Sequence, residues 1–182
     1  MKHDPIAAIS RVLQRIEEVL LSGGILLIAA LTVLNVVTRT TLGFSLAYAE
    51  ELSQFAIIVV TFVGLSYGAS KGRHIRMTAL YDQLGPRARK GVMLVISSTT
   101  SLLLFVLAAW SMSYIGTMQV LGTLSPALQV PFWVVYLAAP LGLVLAGLQY
   151  ALAFVRNLRE NDVYLSWDHK DEYDDVAIEP GI

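Results

Sequence analysis

Glu50 and Glu51 are the acidic side chains best placed to do chemistry in this sequence. They begin a strongly apolar stretch and are the only acids between Glu18 and Asp82. A helix dipole favours carboxylates at the N-terminus, so one interpretation leaves both acids facing water. Another pairs one of them with Arg39 or with a cation of a partner protein, because an unpaired charge at the bilayer centre costs roughly 2.5–3.5 kcal/mol. A proton or ion relay is disfavoured, since no acid or histidine lies inside a later apolar stretch.

Asn35 and Arg39 end the preceding apolar stretch and lie one helical turn apart on the same helix face. Asn35 is suited to a hydrogen bond with a neighbouring helix, and Arg39 to extending its charge toward the headgroups. Packing of the two side chains against a second membrane protein is an equally open interpretation.

Arg73 and His74 belong to a basic segment, Lys-Gly-Arg-His-Ile-Arg, that follows the second apolar stretch. A lone histidine does not indicate a metal site, and the chain has no cysteine, so thiolate metal sites and disulfides are excluded. The segment is typical of a cluster that orients a membrane protein and attracts anionic headgroups, rather than of a nucleic-acid site. No nucleophile with its base, phosphate loop or metal-ligand set occurs, so neither an enzyme nor a cofactor in this chain is indicated.

The elements that must position these residues are membrane helices. Of the 182 residues, 55% are hydrophobic and 15% charged, where soluble domains have about 25% charged residues. A helix needs about 20 apolar residues to cross a bilayer. The sequence therefore predicts an all-α membrane protein with four transmembrane helices, over residues 19–38, 52–70, 91–115 and 131–155.

The two ends of the chain have different compositions. Residues 1–18 carry apolar side chains at helical spacing, which predicts an amphipathic helix on the membrane surface or continuous with the first span. A cleaved signal peptide is the alternative, disfavoured because the apolar run exceeds the roughly 7–15 residues of an h-region. Residues 156–182 are polar and acidic, which predicts a solvated, disordered cytoplasmic tail.

The distribution of basic residues predicts the orientation of the spans. Twelve of the thirteen Lys and Arg residues lie in segments 1–18, 71–90 and 156–182, which share one side of a four-span protein; the thirteenth is Arg39. The positive-inside rule makes that side cytoplasmic, so both termini are predicted to be inside. Trp133 and Tyr136 begin the fourth span at the opposite interface, where amphipathic rings anchor well.

Small residues and proline predict how the helices pack. Gly64 and Gly68 form a small-xxx-small face that allows close helix approach, although such spacing is common in apolar helices. Pro140 lies inside the fourth span, where the missing N–H predicts a kink near residues 138–140. No internal repeat is visible, so the inverted repeats of a complete secondary transporter are absent from the sequence.

Five segments taken in order resemble one family of membrane proteins. They are N-V-V-T-R (35–39), A-E-E-L (49–52), F-V-G (62–64), K-G-R-H-I (71–75) and S-P-A-L-Q-V-P-F-W-V-V-Y-L-A-A-P-L-G (125–142). Together they resemble the small membrane subunit, the DctQ family, of tripartite ATP-independent periplasmic (TRAP) transporters. The resemblance extends over about residues 15–156, and the N-terminal helix and acidic tail lie outside it.

The resemblance implies a subunit of the bacterial inner membrane that does not itself carry substrate. Its implied partners are a large DctM-type membrane subunit, which holds the sodium and substrate sites and moves as an elevator, a periplasmic DctP-type substrate-binding protein, and membrane lipids. The implied solutes are organic acids such as dicarboxylates, keto acids or sialic acid. Arg39, Glu50, Glu51 and His74 fall on polar motif positions of the family, and their implied roles are structural or in docking.

Three hypotheses follow from the sequence. The first is the scaffolding subunit of a sodium-coupled TRAP transporter. The second is a small channel or carrier in which several copies of this chain supply the missing path. The third, a membrane enzyme or sensor, lacks a catalytic set in the sequence.

Overall fold

The computed structural model describes residues 5–71 and 86–159, with side chains from 14 to 71 and from 88 to 159. The described chain forms helices α1 (Pro5–Thr41), α2 (Ala47–Ser70), α3 (Pro86–Leu121), α4 (Phe132–Tyr136) and α5 (Ala138–Arg159). Four segments are long and apolar enough to cross a membrane: Gln14–Thr41, Ala47–Ser70, Ala88–Leu121 and Phe132–Arg159. The prediction of four helices long and apolar enough to span a membrane is therefore confirmed, and each helical segment extends beyond the predicted span at one or both ends.

Residues 5–18 form the first part of α1, with no break before the first span. Gln14 is half-buried and Glu17 is buried, whereas Ile16 and Val19 are 52% and 70% exposed. Two polar side chains at this end of α1, Gln14 and Glu17, therefore point toward the protein, whereas Arg15 and Glu18 are exposed together with the apolar Ile16 and Val19. The position of residues 1–18 on a membrane surface stays a prediction.

The helices pack in the order α1, α2, α5, α3. Helix α1 packs on α2, α2 packs on α5, and α5 packs on α3. In the most apolar stretch of α1, no residue is buried inside the protein. In the corresponding stretch of the fourth span, 44% of the residues are buried. Helix α1 therefore lies at one edge of the row and α3 at the other.

The contact of α1 with α2 follows one stripe of residues. From residue 14 onward, the less exposed positions of α1 alternate at spacings of three and four. They are Gln14, Glu17, Leu21, Gly24, Ile28, Leu31, Asn35 and Thr38. This is the 3.5-residue period that keeps one seam of a helix against a partner helix. The other faces of α1 remain exposed and apolar.

The core lies between α2, α3 and α5. Its buried members are small or apolar side chains: Ala69, Leu104, Ala108, Leu143, Ala146 and Tyr150. The buried hydroxyl of Ser101 donates to the carbonyl oxygen of Gly147 at 3.0 Å, which joins α3 to α5. Interhelical hydrogen bonds of this kind contribute about 0.6–2 kcal/mol in membranes.

Two glycines allow the closest helix approaches. A methyl group on Gly142 would lie 2.8 Å from the carbonyl carbon of Phe62, and one on Gly24 would overlap a methyl of Val60. A methyl on Gly64 would meet Leu21 at 3.4 Å, an ordinary contact. Gly68 is half-buried on α2. Gly142 and Gly24 thus set the spacing of α2 from α5 and from α1.

The fourth span is interrupted at Leu137, between α4 and α5. Pro140 is buried and has no N–H, so the carbonyl of Tyr136 has no donor four residues later. The sequence predicted a kink near residues 138–140, and the interruption lies immediately before them. Its cause is the hydrogen bond that Pro140 removes from the preceding turn.

Candidate functional site

The side-chain hydrogen bonds that join α1 to α2 lie at the two ends of the pair. One end holds the turn between the helices, and the other holds the beginning of α1 and the end of α2. We call Asn35, Ser45 and Glu50 the turn cluster, and Gln14, Glu17, Glu18, Ser66, Tyr67 and Lys71 the basal cluster.

In the turn cluster, Asn35 connects the end of α1 with the beginning of α2. Its side-chain amide donates to Oε1 of Glu50 at 3.1 Å, and its carbonyl accepts the backbone N–H of Leu46 at 2.8 Å. The hydroxyl of Ser45 lies 2.9 Å from the same Glu50 oxygen. Four helix N-terminal N–H groups lack intrahelical acceptors, and Leu46, the residue before α2, has no side-chain cap of its own. Asn35 therefore fixes the start of α2 from a neighbouring helix.

Arg39 lies near the turn cluster but is not paired with its acid. No ion pair joins Arg39 to Glu50 or Glu51, all three of which belong to the described part of the chain. Glu50 is bonded to Asn35 and Ser45 instead. Arg39 is exposed at the last turn of α1, where its charge suits the C-terminal end of the helix dipole.

Glu51 points to a different neighbour, the loop that joins α3 to α4. One carboxylate oxygen accepts the backbone N–H of Ala127 at 2.6 Å and the other that of Leu128 at 2.8 Å. Adjacent helical positions point about 100° apart, which explains why Glu50 and Glu51 serve separate partners. Charge-assisted bonds to two successive amides hold a loop more firmly than neutral ones. We call this contact the Glu51 clamp.

The clamped loop is also ordered from within. The N–H of Ser125 donates to the carbonyl of Val130 at 2.9 Å, and the N–H of Val130 donates to the Ser125 hydroxyl at 3.2 Å. Leu124 and Pro131 form an antiparallel bridge. Gln129 adopts a positive φ of 56°, an uncommon conformation for a residue with a side chain. The segment has one defined shape, with the Ser125 side chain fully buried inside it.

Aromatic rings lie at the same end of the protein. Tyr136 meets Tyr114 edge to face at 5.8 Å and Phe132 at 6.3 Å, and Phe132 meets Phe55 at 6.1 Å. Trp133 is half-buried beside them in the sequence. The rings of Tyr136 and Phe132 thus join α4 to α3 and α2. Placement of Trp133 and Tyr136 at a lipid interface stays a prediction.

In the basal cluster, Glu17 is a buried carboxylic side chain on the α1–α2 seam. It is 3% exposed, and its Oε1 accepts the hydroxyl of the fully buried Ser66 at 2.6 Å. Its second oxygen, Oε2, is buried and has no hydrogen-bond partner in the described part of the chain. A buried acceptor without a hydrogen bond costs about 1–3 kcal/mol. Burial of Oε2 therefore destabilises the α1–α2 contact, whereas the hydrogen bond of Oε1 stabilises it.

The exposed side of the basal cluster centres on Lys71. Its ammonium lies 3.9 Å from Oε1 of Glu18 and 3.5 Å from the side-chain oxygen of Gln14. The hydroxyl of Tyr67 donates to the same Glu18 oxygen at 2.9 Å. These contacts tie the end of α2 to the beginning of α1. Arg73 and His74, which the sequence singled out just beyond Lys71, lie outside the described residues.

Sequence reasoning missed Glu17, Ser66 and the loop amides that Glu51 binds. Glu17 was detectable, because it lies on the same 3.5-residue stripe as Gly24 and Asn35. The loop amides carry no signal in the sequence, since every residue except proline has a backbone N–H.

Among the recesses beside α1, two are shared with other helices. A polar recess of about 280 Å³ is bordered by the turn cluster, with Thr32, Ser53 and Gln54 in its wall. An apolar groove of about 600 Å³ runs between α1 and the fourth span over the face of α2. Among the described residues, no group of three His, Cys, Asp or Glu side chains is close enough to hold a metal ion. The arrangement can hold helices, a loop and apolar surfaces in place.

Comparison with known proteins agrees on one family. Residues 28–160 match the family model of tripartite ATP-independent periplasmic transporters, DctQ component. The ectoine TRAP transporter small permease protein TeaB of Halomonas elongata is 40% identical over 174 residues, which cover 96% of this chain and 90% of TeaB. The C4-dicarboxylate TRAP transporter small permease protein DctQ of Rhodobacter capsulatus is 26% identical over 179 residues, covering 80% and 79% of the two chains.

Proposed function

Because this chain belongs to the DctQ family of TRAP transporter components, we propose that it braces a large DctM-type subunit in the bacterial inner membrane. As a small permease subunit it is a multi-pass membrane protein and not an enzyme. The proposed role extends to helping a periplasmic substrate-binding protein dock. The large subunit would hold the sodium and solute sites.

The apolar groove is the observation that supports the bracing role. Its walls come from three elements, α1, α2 and the fourth span, and all its lining side chains are apolar. At its edge, a methyl group on Gly23 would meet nothing within 4 Å. An apolar helix of a partner lying in such a groove gains van der Waals contacts on three sides, which is how helices associate in lipid.

Filling the groove tests this role. Gly23→Leu should lower the yield of the large subunit that co-purifies with this chain in mild detergent, because the new side chain occupies the groove. Gly116→Leu is a matched control, since Gly116 also has open space around its Cα on a different helix. Equal yields from both variants would overturn the placement of the large subunit in the groove. A homo-oligomer that needs no second protein would support the alternative of a self-assembling channel.

The solute proposed for the assembled transporter is an organic acid. Ectoine and C4-dicarboxylates, which appear in the names of the two relatives, are the first candidates because both carry a carboxylate. Proteoliposomes containing this chain, the large subunit and the substrate-binding protein should accumulate one of these solutes under an inward sodium gradient. This chain alone should show no uptake, and transport by it alone would overturn the proposal.

Both termini are proposed to lie in the cytoplasm, which puts the turn cluster on the periplasmic side. The absence of cysteine makes this simple to test. A membrane-impermeant maleimide should label Leu42→Cys, an exposed position in the α1–α2 turn, in intact cells. It should label Leu158→Cys, exposed at the end of α5, only after the cells are opened. The reverse pattern would invert the assigned orientation.

A further inference from the structure

At the end of the protein that holds the Glu51 clamp, the end of α3 and the loop after it form an uncharged, apolar surface, and the charges at this end belong to Arg39, Glu50 and Glu51. From Gly91 to Val155 the chain contains no charged residue. Exposed apolar side chains occur along both helices of that stretch, and four of them lie at the end of α3 and in the loop after it. They are Val120 at 88%, Leu121 at 63%, Leu124 at 49% and Leu128 at 37% exposed. A single exposed leucine is ordinary, but several at one end of a molecule mark a contact surface.

The length of α3 places this surface beyond the lipid. The helix rises about 36 Å between Lys90 and Tyr114, which exceeds the roughly 30 Å hydrocarbon core, so placing Lys90 at the cytoplasmic headgroups brings Tyr114 to the opposite headgroups. Tyr114 packs edge to face on Tyr136, as expected of rings at one interface. Leu121 lies about 10 Å further along the helix. Lipid tails therefore do not reach the loop that follows, and its apolar side chains face water unless a protein covers them.

The position of the loop favours a partner other than the membrane subunit in the groove. The groove comes close to the loop at one end, since Leu52, which follows Glu51, and Val134, three residues after Pro131, both line it. From there the groove runs along α1 toward Val19 and Leu20, so a partner helix lying in it extends away from the loop, into the membrane. A water-soluble protein approaching along the membrane normal meets the loop first.

The Glu51 clamp prepares the loop for such a contact. The two carboxylate oxygens hold the amides of Ala127 and Leu128, the latter being the backbone of an exposed leucine. The internal bonds of Ser125 hold the other side of the loop. A loop already in its bound shape loses less conformational entropy when a partner binds.

We propose that the loop of residues 122–131, held by Glu51, is a preformed apolar docking surface for the soluble substrate-binding protein. Leu124 and Leu128 supply the contact, and Glu51 is a positioning residue that touches no partner itself. The inference rests on the proposed TRAP function and orientation, and names the surface that docks. Because the loop is uncharged, the partner patch that fits it is apolar, and high salt leaves this contact intact.

The test uses the complex of this chain with the large subunit in nanodiscs, and the substrate-binding protein of the same organism as probe. The double variant Leu124→Ser/Leu128→Ser should bind the probe about tenfold more weakly or worse, since two buried leucines are lost. Leu158→Ser is the control, because Leu158 lies at the other end of the protein and is more exposed than either loop leucine. Glu51→Gln should also weaken binding while both leucines remain, because an amide offers one acceptor oxygen where two are needed.

The outcomes separate this inference from the function on which it rests. Absence of binding by the unmodified complex would overturn the proposed docking role, and with it this inference. Full binding by the double variant would overturn this inference alone. Protection of Leu128→Cys from a membrane-impermeant maleimide by the nanodisc lipids, without the probe, would assign the loop to the bilayer and also overturn it. Protection only when the probe is present is the result expected.

Discussion

The hydroxyl of Ser66 lies 2.6 Å from a carboxylate oxygen of Glu17, although 49 positions separate the two residues. Both side chains are buried on the seam between α1 and α2. A polar pair at this place holds two apolar helices in one axial register, because any slip along the seam leaves both groups without a partner. The pair therefore contributes mainly to the alignment of α1 with α2.

Removing the hydroxyl of this pair should destabilise the α1–α2 contact. Ser66→Ala leaves both oxygens of Glu17 buried without a donor, and we expect it to cost about 1–3 kcal/mol of unfolding free energy. Glu17→Gln should be tolerated, since an amide oxygen still accepts from Ser66. Thermal unfolding of the purified chain in detergent measures both effects. Ser22→Ala, which removes an exposed hydroxyl bonded only within α1, is the control; an equal loss there would contradict the expectation.

A methyl group at Gly142 should disturb the packing of α2 on α5. Gly142→Ala places the methyl against the backbone carbonyl of Phe62, which cannot move aside as a flexible side chain does. Overpacking of this kind costs about 1–3 kcal/mol. Gly116→Ala meets nothing within 4 Å and should leave stability unchanged or raise it, because alanine favours a helix. The thermal midpoint of unfolding should therefore fall in Gly142→Ala and stay unchanged or rise in Gly116→Ala.

The two neighbouring acids should give different hydrogen-exchange patterns. Glu51→Gln should speed exchange of the Ala127 and Leu128 amides severalfold, because these amides lose a charged acceptor. Glu50→Gln should leave those amides unchanged and act on the N–H of Leu46 through Asn35. Exchange measured by mass spectrometry on the complex distinguishes them. Identical patterns for both variants would contradict the separate roles.

Asn35 should matter more than Arg39 to the stability of this chain alone. Asn35→Ala removes the amide that connects Leu46 and Ser45 to the end of α1, at a cost of about 1–2 kcal/mol. Arg39→Ala removes no ion pair to the acids and should stay within about 0.5 kcal/mol. Thermal unfolding measures the difference. If Arg39→Ala instead lowers the yield of the complex with the large subunit, Arg39 contacts that partner.

Much of the architecture was predictable from the sequence, since lipid admits only helices with their backbone bonds satisfied internally. Hydropathy was therefore sufficient to predict the number of membrane-length helices, and the polar residues could be placed near the ends of those helices. The ordered segments around Asn35, Glu50 and Pro140 also pointed to the family that the comparisons show. The residues of α1 that face α2 are spaced alternately three and four apart from Gln14 to Thr38, a pattern that is visible in the sequence.

Only the tertiary structure decided which polar groups meet. From the sequence, Arg39 could pair with either acid. In the structure, Glu50 binds Asn35 and Ser45, and Glu51 binds a loop 76 positions away. Glu17 met Ser66 in the same unforeseen way. Hydropathy and helical spacing are local properties of the chain, whereas these pairings depend on which helices are neighbours and how far each is shifted along its axis. The close contacts at Gly24, between α1 and α2, and at Gly142, between α2 and α5, determine which helices are neighbours and how they are aligned.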